Sequence, residues 1–280
     1  LLVASCRFGF DPISDSDASG DGGPLGAWSA PVKVSVSASG AADDDPALPA
    51  DMLEIIFDSE RISTEGSLFS SKRASVTSPW STPELIVEID SPNDEDGPVL
   101  SGDGLTLTFS SNRVGGAGMA DFYITTRTDR SSSWAPPTRI GELCTPTSDE
   151  HLFIAEDGLT AWFMRGPTTA YALMVTTRAR TSDPWSTPVS ITELTSGTNE
   201  QDPWVGPSQL VMYFSSRRTG NDAIYFATRA TTSDPWNAIT RIVELDTAEA
   251  EQDEWVSPDQ RVMYFSRGAG VTRDVFMTQR

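Results

Sequence analysis

Apolar and polar residues alternate along this chain in short runs, without the three-to-four-residue spacing of a helix. Leu105-Thr106-Leu107-Thr108-Phe109 is the clearest run, with apolar side chains at every second position, the period of a strand that buries one face. Just before it, residues 98–101 (PVLS) read as a short strand that Gly102-Asp103-Gly104 turns back as a hairpin. A Gly-rich loop at 114–118 then leads to a third strand at 121–125. A Ser-rich turn leads through Trp134 to a fourth at 138–143.

This four-strand unit recurs. Trp stands at 28, 80, 134, 185 and 236, and Phe at 57, 109, 163, 214 and 265, both with gaps of 52, 54, 51 and 51 residues. Arg73, Arg127, Arg178, Arg229 and Arg280 keep the same period. Four short strands per unit of about 50 residues is the signature of a propeller blade. The pattern therefore predicts an all-β, five-bladed β-propeller with four-stranded antiparallel blades. The chain stops at Arg280, at the end of a third strand, while Trp28-Ser29-Ala30-Pro31-Val32-Lys33-Val34 matches the fourth-strand pattern of Trp80-Ser81-Thr82-Pro83-Glu84-Leu85-Ile86. The segment at about 29–36 is thus expected to join the last blade and close the ring without an open edge. Residues 28–280 form the propeller in this reading, and 1–27 precede it.

The unit Pro-x-x-Ser-x-Asp-Gly…Phe-Ser-Ser-Asn-Arg, best preserved from Pro98 to Arg113, resembles the WD40-like propeller repeats of TolB-type proteins. Blade three departs from it, with Met164-Arg165-Gly166 in place of Ser-Ser-Asn. The resemblance implies a periplasmic or cell-surface propeller that binds a protein, a peptide or an envelope component without catalysis. At the other end, Val3-Ala4-Ser5-Cys6 resembles the lipobox of bacterial lipoproteins, which implies a lipid on Cys6 and a membrane attachment through that anchor only. Residues 11–27, rich in Asp, Ser and Gly, have too little apolar surface to order themselves and read as an acidic tether.

Charge narrows the partners. With 40 acidic against 20 basic residues the formal net charge is −20, which excludes nucleic acid, since phosphate binding needs clustered Lys and Arg. A monomeric, extracytoplasmic binding protein is the expectation. Two cysteines, Cys6 and Cys144, make neither a disulfide framework nor a zinc spacing.

Aligning the repeats places an acid once per blade near the axis: Asp43, Glu95, Asp149, Glu200 and Glu251. Two positions on stand Asp45, Gly97, His151, Asp202 and Asp253, and two further on come Trp204 and Trp255 in the last two blades. The five acids are either blade-to-blade ties, through backbone N–H groups or through Arg61, Arg113 and Arg218, or a carboxylate ring that holds Ca2+ or another cation at the channel mouth. His151, Asp253, Trp204 and Trp255 are further candidates for the binding face, the two indoles either as stacking platforms or as core. The alternative function is an arabinanase-type glycosidase, because glycoside hydrolysis needs two carboxyl groups at a defined separation. Asp45, His151 and Asp202 are the candidate catalytic residues in that case. The Arg residues at the third-strand ends are expected to bond the turn acids Asp51, Asp103, Asp157 and Asp259.

Overall fold

The computed structural model describes residues 25–37 and 40–280, so Cys6 and the tether up to residue 24 lie outside the described residues. The rest forms five antiparallel sheets of four strands each. The first blade holds Asp43–Ala47, Glu54–Ser59, Ser67–Lys72 and Glu84–Leu85, and the second Glu95–Leu100, Thr106–Ser111, Asp121–Thr126 and Thr138–Arg139. The third holds Ser148–Ile154, Thr160–Gly166, Ala172–Thr177 and Val189–Ser190, and the fourth Glu200–Val205, Val211–Ser216, Ala223–Thr228 and Asn237–Arg241. The fifth combines Glu251–Val256, Val262–Arg267 and Asp274–Gln279 with Val32–Lys33 from the other end of the chain. The first strand of each blade touches the first strands of both neighbours, so the five surround a central axis. Among the described residues no helix is long and apolar enough to cross a membrane.

The ring closes where the repeat alignment places the seam. Val32 pairs with Met277 and Lys33 with Phe276, and the flanking Ser29 and Val34 N–H groups donate to the carbonyls of Gln279 and Val275 at 2.8 Å each. The six-residue strand Asp274–Gln279 is thereby covered, and the outer edge of the last blade is the two-residue strand Val32–Lys33, too short to be a ready template for intermolecular strand pairing.

Two of the periodic columns form one device. Arg73, Arg127, Arg178, Arg229 and Arg280 stack on Trp80, Trp134, Trp185, Trp236 and Trp28, with guanidinium carbons 4.1 to 4.3 Å from the ring centroids. Each Nε donates to a backbone carbonyl of the turn between the first two strands of its blade, at Met52, Gly104, Gly158, Gln209 or Gln260. All five carbonyl-bearing residues are left-handed, with φ between 57° and 73°. The expected bonds between these Arg residues and Asp51, Asp103, Asp157 and Asp259 do not form. Those acids instead accept backbone N–H groups of the same turn, from Leu53, Leu105, Leu159 and Arg261. A tight turn offers its carbonyl outward and its N–H groups to its own Asp, so arginine and acid serve one turn without meeting.

At the seam this device joins the two chain ends, since Trp28 and Arg280 come from opposite termini of the propeller. Trp28 is buried in the core cluster that spans the first, fourth and fifth blades. Trp28→Ala should therefore destabilise the protein by about 3–5 kcal/mol, the range for removing a buried aromatic ring. Urea unfolding measures it, and a loss below about 1 kcal/mol, no more than a typical point mutation, would show that the seam contributes little.

Candidate functional site

Every first strand carries a β-bulge, and each sits opposite the recurring Phe. In blade one, Asp44 pairs with Asp58 and Ala47 with Ile56, so Asp45 and Pro46 together face Phe57. The same two-against-one count puts Gly97 and Pro98 against Phe109, and His151 and Leu152 against Phe163. It likewise puts Asp202 and Pro203 against Phe214, and Asp253 and Glu254 against Phe265. The first residue of each bulge is left-handed: Asp45, Gly97, His151, Asp202 and Asp253 have φ of 52°, 56°, 54°, 58° and 60°. A bulge breaks the strict alternation of a strand, so neighbouring side chains such as Asp44 and Asp45 both line the axial cleft.

The outermost acid of each first strand has another task. Asp43, Glu95, Asp149, Glu200 and Glu251 are buried, and each pairs with an arginine of its own blade: Arg61, Arg113, Arg165, Arg218 and Arg267. The same five guanidiniums donate to the linker carbonyls of Val36, Ile89, Leu143, Leu194 and Leu245 and lie 5.0 to 5.3 Å from the centroids of the recurring Phe rings. Of the two readings of Asp43, Glu95, Asp149, Glu200 and Glu251, these pairs favour the structural tie over the cation ring, since each carboxylate already faces a guanidinium of its own blade. Blade three keeps the device despite its altered loop. There the arginine sits two residues after Phe163 instead of four, as it does after Phe265 in blade five.

The carboxylates without such partners lie one and two positions further along. They line a polar cleft of about 260 Å³ at one end of the axis, where nine acids, among them Asp44, Asp45, Asp58, Asp96, Glu150 and Asp253, face Arg273 and His151. Arg273 reaches Asp44, and Tyr171 Oη donates to Glu150 Oε1 at 2.7 Å. Among the described residues Asp44 Oδ1, Asp58 Oδ1 and Asp253 Oδ2 are buried without a hydrogen-bond partner. Burial, with like charges added, raises the acids: Asp96 to about 7, Asp44 and Glu150 above the usual range, and Asp45, Asp58 and Asp253 well above it.

His151 stands at the centre of this cleft. Its Nε2 is 2.6 Å from Asp45 Oδ1 and its Nδ1 3.2 Å from Asp202 Oδ1, so the imidazole bridges blades one and four from blade three. Burial disfavours its charged form, but Asp45 and Asp202 outweigh that and raise its pKa well above the ordinary value. Asp202 shows the reciprocal effect: burial works against its charge, yet His151 holds it below the usual carboxylate range. Gly97 makes the crossing possible. A β-carbon there would stand 2.5 Å from His151 Cδ2, so blade two gives up its side chain to the ring arriving from blade three.

Asp45, His151, Asp202 and Asp253 are thus brought together, whereas Trp204 and Trp255 are not with them. The two indoles line a separate, mostly apolar cavity toward the other end of the first strands, because the bulge separates the residues before and after it. Sequence reasoning missed Asp44, Asp58, Asp96, Glu150 and Arg273. The visible signal was Gly97, a glycine in a column of Asp and His, which marks a left-handed position. Two oxygen-rich groupings suit a cation. One oxygen each of Asp44, Asp45 and Asp58, and one ligand atom each of Asp45, His151 and Asp253, lie within 4.8 Å of one another in their sets. The first offers hard oxygen donors only; the second needs a deprotonated imidazole.

Scanning the sequence against protein-family models gives no match, and a search of curated proteins gives none either. Solved structures share the fold at low identity. A putative TolB from Agrobacterium tumefaciens superposes with a TM-score of 0.54 at 17% identity, covering 91% of this chain and 85% of its own. An α-L-arabinofuranosidase from Podospora anserina gives 0.61 at 10%, covering 91% and 96%. An endo-arabinase from Bacteroides thetaiotaomicron gives 0.60 at 14%, covering 91% and 98%. A TolB, an arabinofuranosidase and an endo-arabinase are all represented, and at these identities the likeness is one of fold.

The cleft sets the sign of the pH dependence. Carboxyls such as Asp96, Asp45 and Asp58 keep protons in the folded state that the unfolded chain releases near pH 4, and His151 keeps one that it releases near 6.5. The stability these groups supply is complete below their unfolded values and is lost as pH rises through the folded ones. Asp202, shifted the opposite way, matters only below about pH 4. The metal-free protein should therefore melt at a higher temperature at pH 5 than at pH 8. Scanning calorimetry across that range measures it, and a midpoint that rises with pH would contradict the electrostatics described.

Proposed function

We propose that this chain is a binding propeller whose acidic axial cleft holds a cation and, through that face, engages a protein, peptide or envelope component. The observation that carries the reading is the set of buried carboxylate oxygens without donors, Asp44 Oδ1, Asp58 Oδ1 and Asp253 Oδ2, in a cleft of nine acids. Uncompensated charge in a buried site is costly, and either a proton or a cation relieves it. Asp44, Asp45 and Asp58 would hold a hard divalent ion such as Ca2+, which would neutralise the cleft and offer open coordination positions to an oxygen-rich partner. The repeats that resemble TolB-type proteins, and the putative TolB among the structural neighbours, support a binding role. In the same reading Cys6 carries a lipid that tethers the propeller in the periplasm or at the cell surface.

One observation favours a second reading, an arabinanase-type glycosidase. Asp45, Asp96 and Glu150 come from three successive blades into one cleft. Burial raises all three, while Asp202 beside them stays ionised. Protonated and ionised carboxyls side by side are what acid-assisted hydrolysis of a glycoside uses. The arabinofuranosidase and endo-arabinase neighbours share the fold on which this would occur.

Titration of metal-free protein with calcium separates the readings. Binding should stabilise the fold by about 2.7 kcal/mol at a hundredfold excess over Kd, and Asp58→Asn should weaken it. Incubation with arabinan and xylan should release no sugar. Absence of stabilisation by calcium would overturn the cation site, and sugar release that Glu150→Gln abolishes would establish the glycosidase instead.

A further inference from the structure

The left-handed bulge position is the same backbone in every blade, yet its residues differ. Asp45, His151 and Asp253 come from blades one, three and five, Asp202 from blade four and Gly97 from blade two. A side chain needed once per blade for packing repeats, as the Trp, Phe and Arg columns do; this column keeps its conformation and varies its chemistry. One ligand atom each of Asp45, His151 and Asp253 lies within 4.8 Å of the other two, and all three residues are buried in the wall of the axial cleft. Asp253 is 7% exposed, and among the described residues its Oδ2 has no hydrogen-bond partner. At the other ring nitrogen, His151 Nδ1 is 3.2 Å from Asp202 Oδ1, while Asp202 Oδ2 accepts the Asp253 N–H at 3.3 Å. A carboxylate behind one ring nitrogen is the usual support of an imidazole that ligates a metal through the other.

We infer that Asp45, His151 and Asp253 form a second cation site, for a divalent transition ion of the zinc class, distinct from the oxygen-only position of Asp44, Asp45 and Asp58. Imidazole together with carboxylates suits zinc, whereas Ca2+ takes oxygen ligands. The ion lies between its three ligand atoms, so these atoms need no exposure to the open cleft. Nε2 and Asp45 Oδ1 are 2.6 Å apart and would separate to about 3.4 Å around a tetrahedral ion with bonds of about 2.0–2.1 Å. Zinc replaces the proton between them: that proton leaves Nε2 for solvent, and Nδ1 keeps its own against Asp202. Only Asp45 is common to the two sites, and its two oxygens allow it to bridge them. Three protein ligands leave a position open for water or for an oxygen of a bound partner.

The test is calorimetric titration of zinc chloride into the protein without calcium and after saturation with calcium, where zinc meets only what calcium does not fill. The calcium-saturated protein should take up one zinc ion per chain. Asp202→Asn, which keeps the shape behind the ring and removes its charge, should weaken zinc about ten- to a hundredfold, and His151→Gln should weaken it more. Asp58→Asn should weaken calcium and leave zinc unchanged. In the wild-type protein, nitrogen NMR of the single histidine ring should show zinc shifting Nε2 while Nδ1 stays protonated, whether or not the variants fold. Absence of zinc uptake by the calcium-saturated protein would overturn the site, and so would uptake that leaves Nε2 unmoved or survives His151→Gln. Zinc binding at His151 by a chain that ignores calcium would uphold this site and overturn the calcium position alone.

Discussion

The structure turns on the bulge that each first strand makes opposite a buried phenylalanine. Two residues face one there, and the first of the two is left-handed in all five blades. A left-handed residue with a side chain costs about 1–2 kcal/mol, and four of the five here have side chains. Asp tolerates that conformation better than most residues, which fits its use in three of the blades. The fully buried Phe ring under each bulge fixes where it forms. Because of it, two consecutive side chains reach the axis at the acidic end, and the residues after it turn toward the apolar end. Both cavities follow from this one irregularity.

Around the bulges, two sets of arginines divide the architecture. The outer set clamps tryptophans to turns, and the inner set neutralises one acid per blade while holding the linker carbonyls. Guanidinium suits both tasks, since its planar fork bonds oxygens along its edge while its face lies on a ring. Their consequence for function is negative but useful. Each acid that this inner set clamps is removed from the pool that a ligand meets. What remains is the cluster around His151, where the acids outnumber the nearby cations and several oxygens lack donors.

Much of this was legible in the sequence, and the reasons for the rest are physical. The Trp, Phe and Arg columns revealed the blades, their number and the seam, because packing and stacking are needed once per blade and therefore recur. The same recurrence marked Asp43, Glu95, Asp149, Glu200 and Glu251, and it offered Arg61, Arg113 and Arg218 as partners for three of them but not Arg165 and Arg267. In blades three and five the arginine is shifted by two residues and drops out of the alignment. Asp44, Asp96 and Glu150 were hidden because strict alternation would turn them away from the axis, and only the backbone conformation reverses that. His151 was visible as a break in the repeat. Its reach across to Asp45 and Asp202 depends on the missing side chain of Gly97, which no single column displays. Of the two readings of Trp204 and Trp255, stacking platform or core, the core is the one the fold adopts, because the residues after the bulge turn away from Asp202 and Asp253 into the cluster of the first, fourth and fifth blades.

One imidazole thus reports on the whole cleft, and it is the only histidine in the chain, so its NMR signals need no assignment by mutation. The most direct measurement is a pH titration of the His151 ring carbons and protons in metal-free protein, repeated with calcium. The account predicts an imidazole that stays protonated well above pH 6.5 between Asp45 and Asp202, and that loses its proton at lower pH once a cation occupies the neighbouring oxygens. A ring that titrates at or below pH 6.5 in the metal-free protein, or whose titration is unmoved by calcium, would contradict it.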